Sequence, residues 1–584
     1  MTYDMIIRGG TLIDGQNVPR RKADIAISDG VIAKIGRLAG AVARTEIDAS
    51  GLIVAPGFVD LHTHYDAQVF WDPYCSISGW HGVTSVAVGN CGFGFAPARP
   101  ADRGYLMNSL SRVEAIPATC IETSLPWTWE SFPQWLDALD RQPKGVNLLA
   151  YVPLNPLLMY VMSLESAKSR QPTGEEVSRL VELLREALDA GACGWSAQHT
   201  EPGSGADMQR DFDGTPFATD VMSNETALTL ARVLADYDDA FIQIVYASVN
   251  GMDADRSYLE RLAEDSGSAI ILNSITVVPH LPHQHRDQLD WVRSCRERGI
   301  QIYGQLITSG QSFTMTFEDW NMFDDSPVWR DATLGTPAER LAKFQDPQRR
   351  AALRENPPQG VFRLDEAVIL KTYTPQFLPA KGLKLPDAAR VMGYPNMVDL
   401  LIDMIVADEL KTLIQVPHFN TDPALQAELV TAPYGLWGVS DGGAHTKFIT
   451  LGAYPTESIV EFVRERGLLP LEEAHWRLSA LNARAAGIHD RGTIVEGAAA
   501  DVIVYDYENL RLLDEEVAED LPGGEWRRIR RAEGYKYVVV NGELTQIDGV
   551  PTGETPGRLL RRGWAADARA GASGPRAAAT GAAR

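Results

Sequence analysis

The sequence predicts an α/β fold, a barrel of eight strand–helix units joined to a small β-rich domain formed by both chain ends. Three observations point there. Through the middle of the chain, apolar runs of strand length alternate with amphipathic helical stretches, the pattern of βα units around a parallel sheet. The two ends instead carry short β-like runs separated by Gly- and Asp-rich turns. Finally, Gly57-Phe-Val-Asp60-Leu-His62-Thr-His64-Tyr-Asp66 ends an apolar run in His-x-His, and side chains two apart on a strand share a face. Barrels of this type assemble their sites at the carboxyl ends of their strands.

The elements follow in order. The N-terminal β unit (residues 1–55) runs through Tyr3 to Ile7, Asp24 to Ile27, Val31 to Ile35 and Thr45 to Asp48. Its counterpart (488–550) includes Asp501 to Asp506 and Tyr535 to Val540, and the two ends could pair into one discontinuous domain. Barrel strands are expected at Ile53 to Leu61, Val83 to Val88, Asn147 to Val152, Gly194 to Ala197, Phe241 to Tyr246, Ile270 to Asn273, Gln301 to Leu306 and Gly438 to Ser440, within a barrel of residues 56–487. Helices fit Gly174 to Ala190, Glu225 to Tyr237, Asp255 to Ser266 and Arg286 to Gly299 by their apolar spacing. A stretch rich in Trp, Pro and charge, Thr316 to Phe362, reads as an insertion serving as a lid or an oligomer contact. The Ala-, Gly- and Arg-rich tail, 565–584, is expected to be disordered.

Composition removes several function classes. A formal net charge of −23 over 584 residues argues against nucleic acid or an anionic membrane as partner. No uncharged apolar run approaches the roughly 20 residues needed to span a bilayer, and the N-terminus lacks a signal-peptide pattern. Five scattered cysteines without CxxC spacing suit a reducing compartment, so a cytoplasmic protein without disulfides is expected.

Three clusters could carry chemistry. His62 and His64 form the first. In the second, the strand Val86-Ala-Val88 stops at Gly89-Asn-Cys91-Gly92, where small residues would let a metal approach a thiolate; alone, Cys91 reads as a buried inert thiol. In the third, Gly438-Val-Ser440-Asp441-Gly442-Gly443-Ala-His445 places an aspartate at the end of the last strand; alone, it reads as a turn. Strands one and eight are neighbours in a closed barrel, so Asp441 could reach a metal held by the two histidines and its water.

These residues resemble the amidohydrolase superfamily, and within it the N-acyl-D-amino-acid deacylase branch. The resemblance runs from about Met1 to Asn541 and is most specific in Pro56-Gly-Phe-Val-Asp-Leu-His-Thr-His64-Tyr-Asp-Ala, Gly89-Asn-Cys-Gly-Phe-Gly-Phe-Ala-Pro97 and Ser440-Asp-Gly-Gly-Ala-His445. It implies a distorted (β/α)8 barrel with a small β-sandwich. It also implies that His62 and His64 bind a catalytic divalent metal, usually zinc, that Cys91 acts as a thiolate ligand, and that Asp441 serves as ligand and proton shuttle. The reaction implied is hydrolysis of a small-molecule amide, an N-acyl (D-)amino acid first; a homo-oligomer is expected.

The departures from that family are as informative. Its strand-five and strand-six histidines are absent: those ends read Val245-Tyr-Ala-Ser248 and Leu272-Asn273-Ser-Ile. Strand four, Gly194-Trp-Ser196-Ala, offers no lysine for a carbamylated bridge. A single zinc, or another divalent ion in its place, held by His62, His64, Cys91 and Asp441 is therefore expected in preference to two, since a catalytic zinc needs three protein ligands and an open position. His199, Tyr151, Trp195, Tyr246, His445 and Lys447 are the substrate-contact candidates, with His445 also placed to steady a ligand. Tyr303 could join the aromatic set and Lys371 the cationic one. His280, His283 and His285 form a polar loop that could supply a replacement ligand, while His81, His418, His475 and His489 read as structural or exposed. Two alternatives stay open: a hydrolase of cyclic amides, carbamates or lactones using the same centre, and a metal-free scaffold.

Overall fold

The computed structural model describes residues 2–200, 210–247, 256–278, 281–310, 312–318, 323, 326–358, 363–416 and 420–562. The tail 565–584, His280 and His418 lie outside the described residues. Two large sheets organise the rest. The first contains β1 (Thr2–Leu12), β2 (Arg21–Ser28), β3 (Val31–Gly36), β4 (Val42–Asp48) and β5 (Ile53–Pro56). The second, all parallel, begins with β6 (Phe58–Asp60), β7 (Val83–Val88), β8 (Asn147–Pro153), β9 (Gly194–Thr200), β10 (Phe241–Ala247), β11 (Ala269–Ile275) and β12 (Ile302–Leu306). Three short strands, β13 (Phe313–Met315), β14 (Val368–Lys371) and β15 (Leu413–Val416), form a separate antiparallel sheet before β16 (Gly435–Trp437) completes the parallel one. The chain then returns to the first sheet through β17 (Val502–Tyr505), makes a hairpin of β18 (Arg511–Leu521) and β19 (Glu525–Glu533), and ends in β20 (Tyr535–Val540), β21 (Glu543–Ile547) and β22 (Val550–Pro551).

The parallel sheet has eight strands in the order β16-β12-β11-β10-β9-β8-β7-β6. Its two outer strands meet just past their carboxyl ends. Thr63 and Gly442 form a parallel bridge, and the His64 amide donates to the Gly442 carbonyl at 2.6 Å. Lower down, the buried Asn482 amide donates to Val59 O on β6 (2.7 Å) and Trp437 O on β16 (2.9 Å), so one side chain stitches the seam. The interior is filled by Val59, Leu149, Tyr151, Phe241, Ile271 and Leu436, while residues of opposite parity pack against the helices.

Two strand boundaries differ from the sequence reading. The expected strand Ile53 to Leu61 is two: β5 pairs with β1 and β17 in the first sheet, β6 with β7 in the barrel. The break falls at Gly57, where a Cβ would lie 2.2 Å from Thr84 Oγ1. The last barrel strand is Gly435–Trp437 rather than Gly438 to Ser440, because Gly438 takes φ 127° and the chain leaves the ladder there. The helices Gly174–Asp189, Asn224–Val233, Arg256–Ser266 and Gln284–Glu297 lie within a few residues of their expected bounds.

The excursion between β12 and β16 is larger and more regular than an insertion at Thr316 to Phe362. Three of its helices, Pro327–Thr333, Pro337–Gln345 and Pro347–Glu355, begin with proline directly after Ser326, Thr336 and Asp346. Proline at the first helical position costs no hydrogen bond, and the Thr336 and Asp346 side chains cap the free amides. With β13 to β15 and the helices Leu385–Met392 and Met397–Ala407 they enclose a second core around Phe317, Trp329, Leu401 and Ile414, which also takes in Phe448 and Ile449 beyond the last barrel strand.

In the first sheet, hydrogen bonding runs continuously through nine strands drawn from both chain ends, with its own core around Ile7, Ile25, Val54, Val502 and Val539. A buried polar network fastens it to the barrel. Asp501 is ion-paired with Arg491 and accepts from the Asn147 side chain of β8 (2.9 Å) and the Asn541 amide (2.7 Å). Asn541 in turn donates to Asn147 Oδ1 (2.8 Å) and accepts from Arg491 (2.8 Å). Removing one member of such a pair leaves an uncompensated buried charge. Asp501→Ala is expected to destabilise the fold by about 3–5 kcal/mol in denaturant unfolding; a loss under about 1 kcal/mol would show that the network does not hold the two sheets together.

Candidate metal centre

The site is built from the first turn beyond three barrel strands. After β6 the His62 amide donates to Asp60 Oδ1 (3.1 Å), and the seam bond from the His64 amide fixes the next turn. The two rings stand 5.4 Å apart at 69°. After β7, Cys91 takes φ 59° between Gly89 and Gly92, and its amide donates to Gln243 Oε1 of β10 at 2.7 Å. The Asn90 side chain donates to Thr63 O (3.0 Å), tying that turn to the His-x-His segment. After β16, Asp441 takes φ 47°.

These turns bring His62, His64 and Cys91 together, with Asp441 beside His62. Donor atoms of His62, His64 and Cys91 all lie within 4.8 Å of one another. His62 Nε2 is 3.4 Å from Cys91 Sγ and 3.2 Å from Asp441 Oδ1. Ligands about 2.1 Å from a tetrahedral metal sit about 3.4 Å from each other, so the spacing matches a coordination sphere. His64 and Cys91 are buried, while 22% of the Asp441 side chain is exposed, making it the most open of the four.

The electrostatics fit a cation. Burial lowers the pKa of His62 to about 4 and that of His64 well below its ordinary value, so both imidazoles are neutral, the form that ligates. Burial, with Asp60 nearby, raises Asp441 to about 7, and burial raises Asp60 and Asp66 to about 7; burial together with the Glu114, Asp441 and Asp66 carboxylates pushes the Cys91 thiol well above its usual range. Among the described residues, His64 Nδ1 is buried without a hydrogen-bond partner. Acidic groups gathered around neutral imidazoles are offset by a bound metal ion, whose donors would be His62, His64, Cys91 and Asp441.

The other nominated residues are placed elsewhere. Register pairs Trp195 with Ile242 and His199 with Tyr246, and Trp195 is buried in the cluster between the strands and the helices. His199 shares that parity, with Nδ1 on Thr219 O and Nε2 on Asn224 Oδ1, both at 2.7 Å. Both therefore serve helix packing rather than the pocket, because their even spacing on β9 sets them opposite the inward Ser196 and Gln198. Tyr151 points inward and packs edge-on to Phe241 at 5.1 Å. The Tyr246 side chain lies outside the described set. Lys447 pairs with Glu525 (2.9 Å) and lies over Trp526, while Lys371 lies over Tyr373. Tyr303 is in the barrel core beneath Arg296. His285 faces Glu428 at 3.3 Å and His283 is exposed. His81 bonds Thr456 and Arg530 O, His475 bonds Tyr505, and His489 bonds Asp239. His445 remains at the centre, with Nε2 3.4 Å from Glu114.

Sequence reasoning missed Glu114, Asp66 and the role of Asn273. Asp66 had a usable signal, standing two residues beyond His64 in the same motif. Asn273 occupies the strand end where a histidine was sought, and its side-chain amide contacts His62 Nδ1. A histidine that ligates through Nε2 carries its proton on Nδ1, so the amide oxygen of Asn273 is the natural partner and its orientation follows from that proton. Glu114 ends the helix Arg103–Glu114 in the β7–β8 connection, where no local pattern marks it.

A parallel barrel that gathers two imidazoles, a thiol and a carboxylate at its strand ends is the framework of a metal-dependent hydrolase. A profile described as Amidohydrolase family matches residues 45–353 and 426–546. N-acyl-D-aspartate deacylase of Alcaligenes xylosoxydans xylosoxydans is 35% identical over 580 residues, covering 96% of this chain and 95% of that protein. D-aminoacylase of the same organism is 27% identical, covering 96% of this chain and 98% of that protein. Among solved structures, N-acyl-D-glutamate deacylase of Bordetella bronchiseptica, complexed with zinc and a phosphonate inhibitor, superposes with a TM-score of 0.67 at 25% identity over 96% of this chain and 100% of that one. The chain belongs to the amidohydrolase family.

Loss of an outer partner of a ligating histidine typically lowers metal affinity 10–100-fold. Asn273→Ala is expected to weaken metal binding by about that factor in chelator competition; unchanged affinity would show that Asn273 does not orient His62.

Proposed function

We propose that this chain is a metal-dependent hydrolase of linear N-acyl amides, with N-acyl-D-amino acids as its substrate class and one zinc ion per chain. The observation that carries the reading is the His62, His64 and Cys91 donor trio with Asp441 3.2 Å from His62, in a barrel whose relatives include D-aminoacylase and N-acyl-D-aspartate deacylase. When bound, the metal supplies Lewis-acid polarisation of the amide carbonyl and of the attacking water.

The chain's residues do the rest. His62 and His64 present neutral imidazoles held by the seam and by Asn273. Cys91 adds a thiolate that the Gln243 bond orients through the backbone. Asp441, partly exposed beside the trio, takes the proton of the attacking water on its carboxylate and returns it to the leaving nitrogen. Ser196, on the inward side of β9, bonds the Gly92 amide (3.0 Å) and Gly89 O, steadying the cysteine turn. No helix of the described residues is long and apolar enough to cross a membrane. The five cysteines are free and buried, which supports the reducing interior of the cytoplasm as its compartment.

Elemental analysis and an N-acyl-D-amino-acid hydrolysis screen test the reading on the same samples. Wild type is expected to hold about one zinc per chain and to turn over. Asp441→Asn should keep its fold but lose turnover by a factor of about 100 or more, and His62→Ala should lose both metal and activity. Wild-type protein that binds no zinc, cobalt or manganese would overturn the mechanism.

A further inference from the structure

The hairpin of β18 and β19 leaves the small domain and packs beside the barrel mouth. Its two strands form a sheet of their own, and a ribbon of two strands is marginally stable unless it packs on something. It packs on both sides of the barrel seam. Toward the β6–β7 connection, Ile529 meets Ile77 and Trp80, and the buried Arg527 donates to Ser76 O (2.8 Å) while pairing with Asp520 (2.8 Å). His81 Nε2 lies 2.8 Å from Arg530 O on the same side. Toward the chain that follows β16, the Arg528 amide donates to Thr446 O (2.7 Å), and its guanidinium donates to Lys447 O (3.0 Å) and pairs with Glu515. Lys447 in turn pairs with Glu525 (2.9 Å), and the Thr450 hydroxyl donates to Glu515 (3.3 Å).

The segment held in this way begins directly after His445, in a turn whose backbone is strained. Asp441, Gly443 and His445 take φ of 47°, 91° and 50°. A side chain at positive φ persists only where the surrounding structure over-determines it. On the barrel side, the Gly442 carbonyl accepts from the His64 amide (2.6 Å) and the His445 amide donates to Glu114 O (2.7 Å). The far side of the turn closes when the Phe448 amide donates back to His445 O (2.7 Å), and there the hairpin takes hold. Arg528 is central to that grip. Its side chain, 16% exposed, joins the Lys447 carbonyl to Glu515, and Glu515 also holds Thr450. A guanidinium fork fixes direction as well as distance.

Given the hydrolase reading, which assigns the proton transfer to Asp441 and on which this assignment rests, we propose that the β18–β19 hairpin is a clamp across the seam that holds the Asp441 turn in register with His62, with Arg528 as its positioning residue. Arg528 acts through the backbone of residues 446–450 rather than by contact with the reacting atoms. The small domain thereby takes part in the chemistry at the barrel mouth. A group misplaced by about an ångström can cost about 100-fold in rate. The loss falls on kcat, because the segment that the hairpin holds leads to Asp441 and not to the His62, His64 and Cys91 trio.

The test compares wild type, Arg528→Ala, Arg528→Lys and Glu515→Ala for native circular dichroism, zinc content, and kcat and KM on the N-acetyl-D-amino acid that wild type hydrolyses fastest. A crystal structure of Arg528→Ala accompanies them. Arg528→Ala should keep its zinc and hold KM within about twofold while kcat falls about 10-fold or more, with the Asp441 carboxylate farther from His62 Nε2 than 3.2 Å. Arg528→Lys keeps the charge beside Glu515 without the fork, so its kcat should lie between the two. Glu515→Ala should lower kcat about threefold, and with Arg528→Lys it carries the test if Arg528→Ala does not fold. Unchanged kcat with an unmoved turn would overturn the clamp, as would a loss that appears in zinc content or KM instead; both leave wild-type hydrolysis, and so the hydrolase reading, intact. Wild type that hydrolyses nothing would overturn that reading and this assignment with it.

Discussion

Closure of the barrel between its first and last strands is the constraint on which the site depends. The His64 amide bonds the Gly442 carbonyl and Thr63 bridges Gly442, which sets His62 and His64 of one strand end against Asp441 of the other. The approach is close enough to dictate sequence: a Cβ on Gly442 would lie 2.5 Å from the Tyr65 hydroxyl, and one on Gly443 would lie 2.6 Å from His64 O. Gly443 also takes φ 91°, a conformation that suits glycine. Asn482 secures the same seam below by donating to both strands. These side chains therefore owe their spacing to backbone contacts across the seam.

What the seam assembles is electrostatically costly without a cation. Asp60, Asp66 and Asp441 are each pushed to about 7 by burial, Glu114 is pushed well up for the same reason, and the imidazoles beside them are driven toward neutrality. A divalent ion among such groups would offset their mutual repulsion.

The barrel and its chemistry were legible because their signals are local. His-x-His after an apolar run, the Gly-Asn-Cys-Gly stop and the Ser-Asp-Gly-Gly turn each occupy a strand end, and strand alternation placed those ends on one face. The less legible features depend on contacts far apart in sequence. Trp195 and His199 read as site aromatics because the parity of β9 is fixed by its pairing with β10, which the strand itself does not reveal. The helical excursion before β15 was hidden by its prolines, which look like loop residues until the preceding Thr336 and Asp346 are recognised as caps. Glu114 reaches the centre only because the loop after β16 holds its helix end, a contact spanning more than three hundred residues of chain.

The measurement that bears most directly on the central claim is an anomalous-scattering map, at the zinc edge, of crystals of the zinc-loaded protein. One strong peak within about 2.0–2.3 Å of donor atoms of His62, His64, Cys91 and Asp441 is the predicted result. A map without a peak between these four side chains, or with zinc bound elsewhere in the molecule, would contradict it.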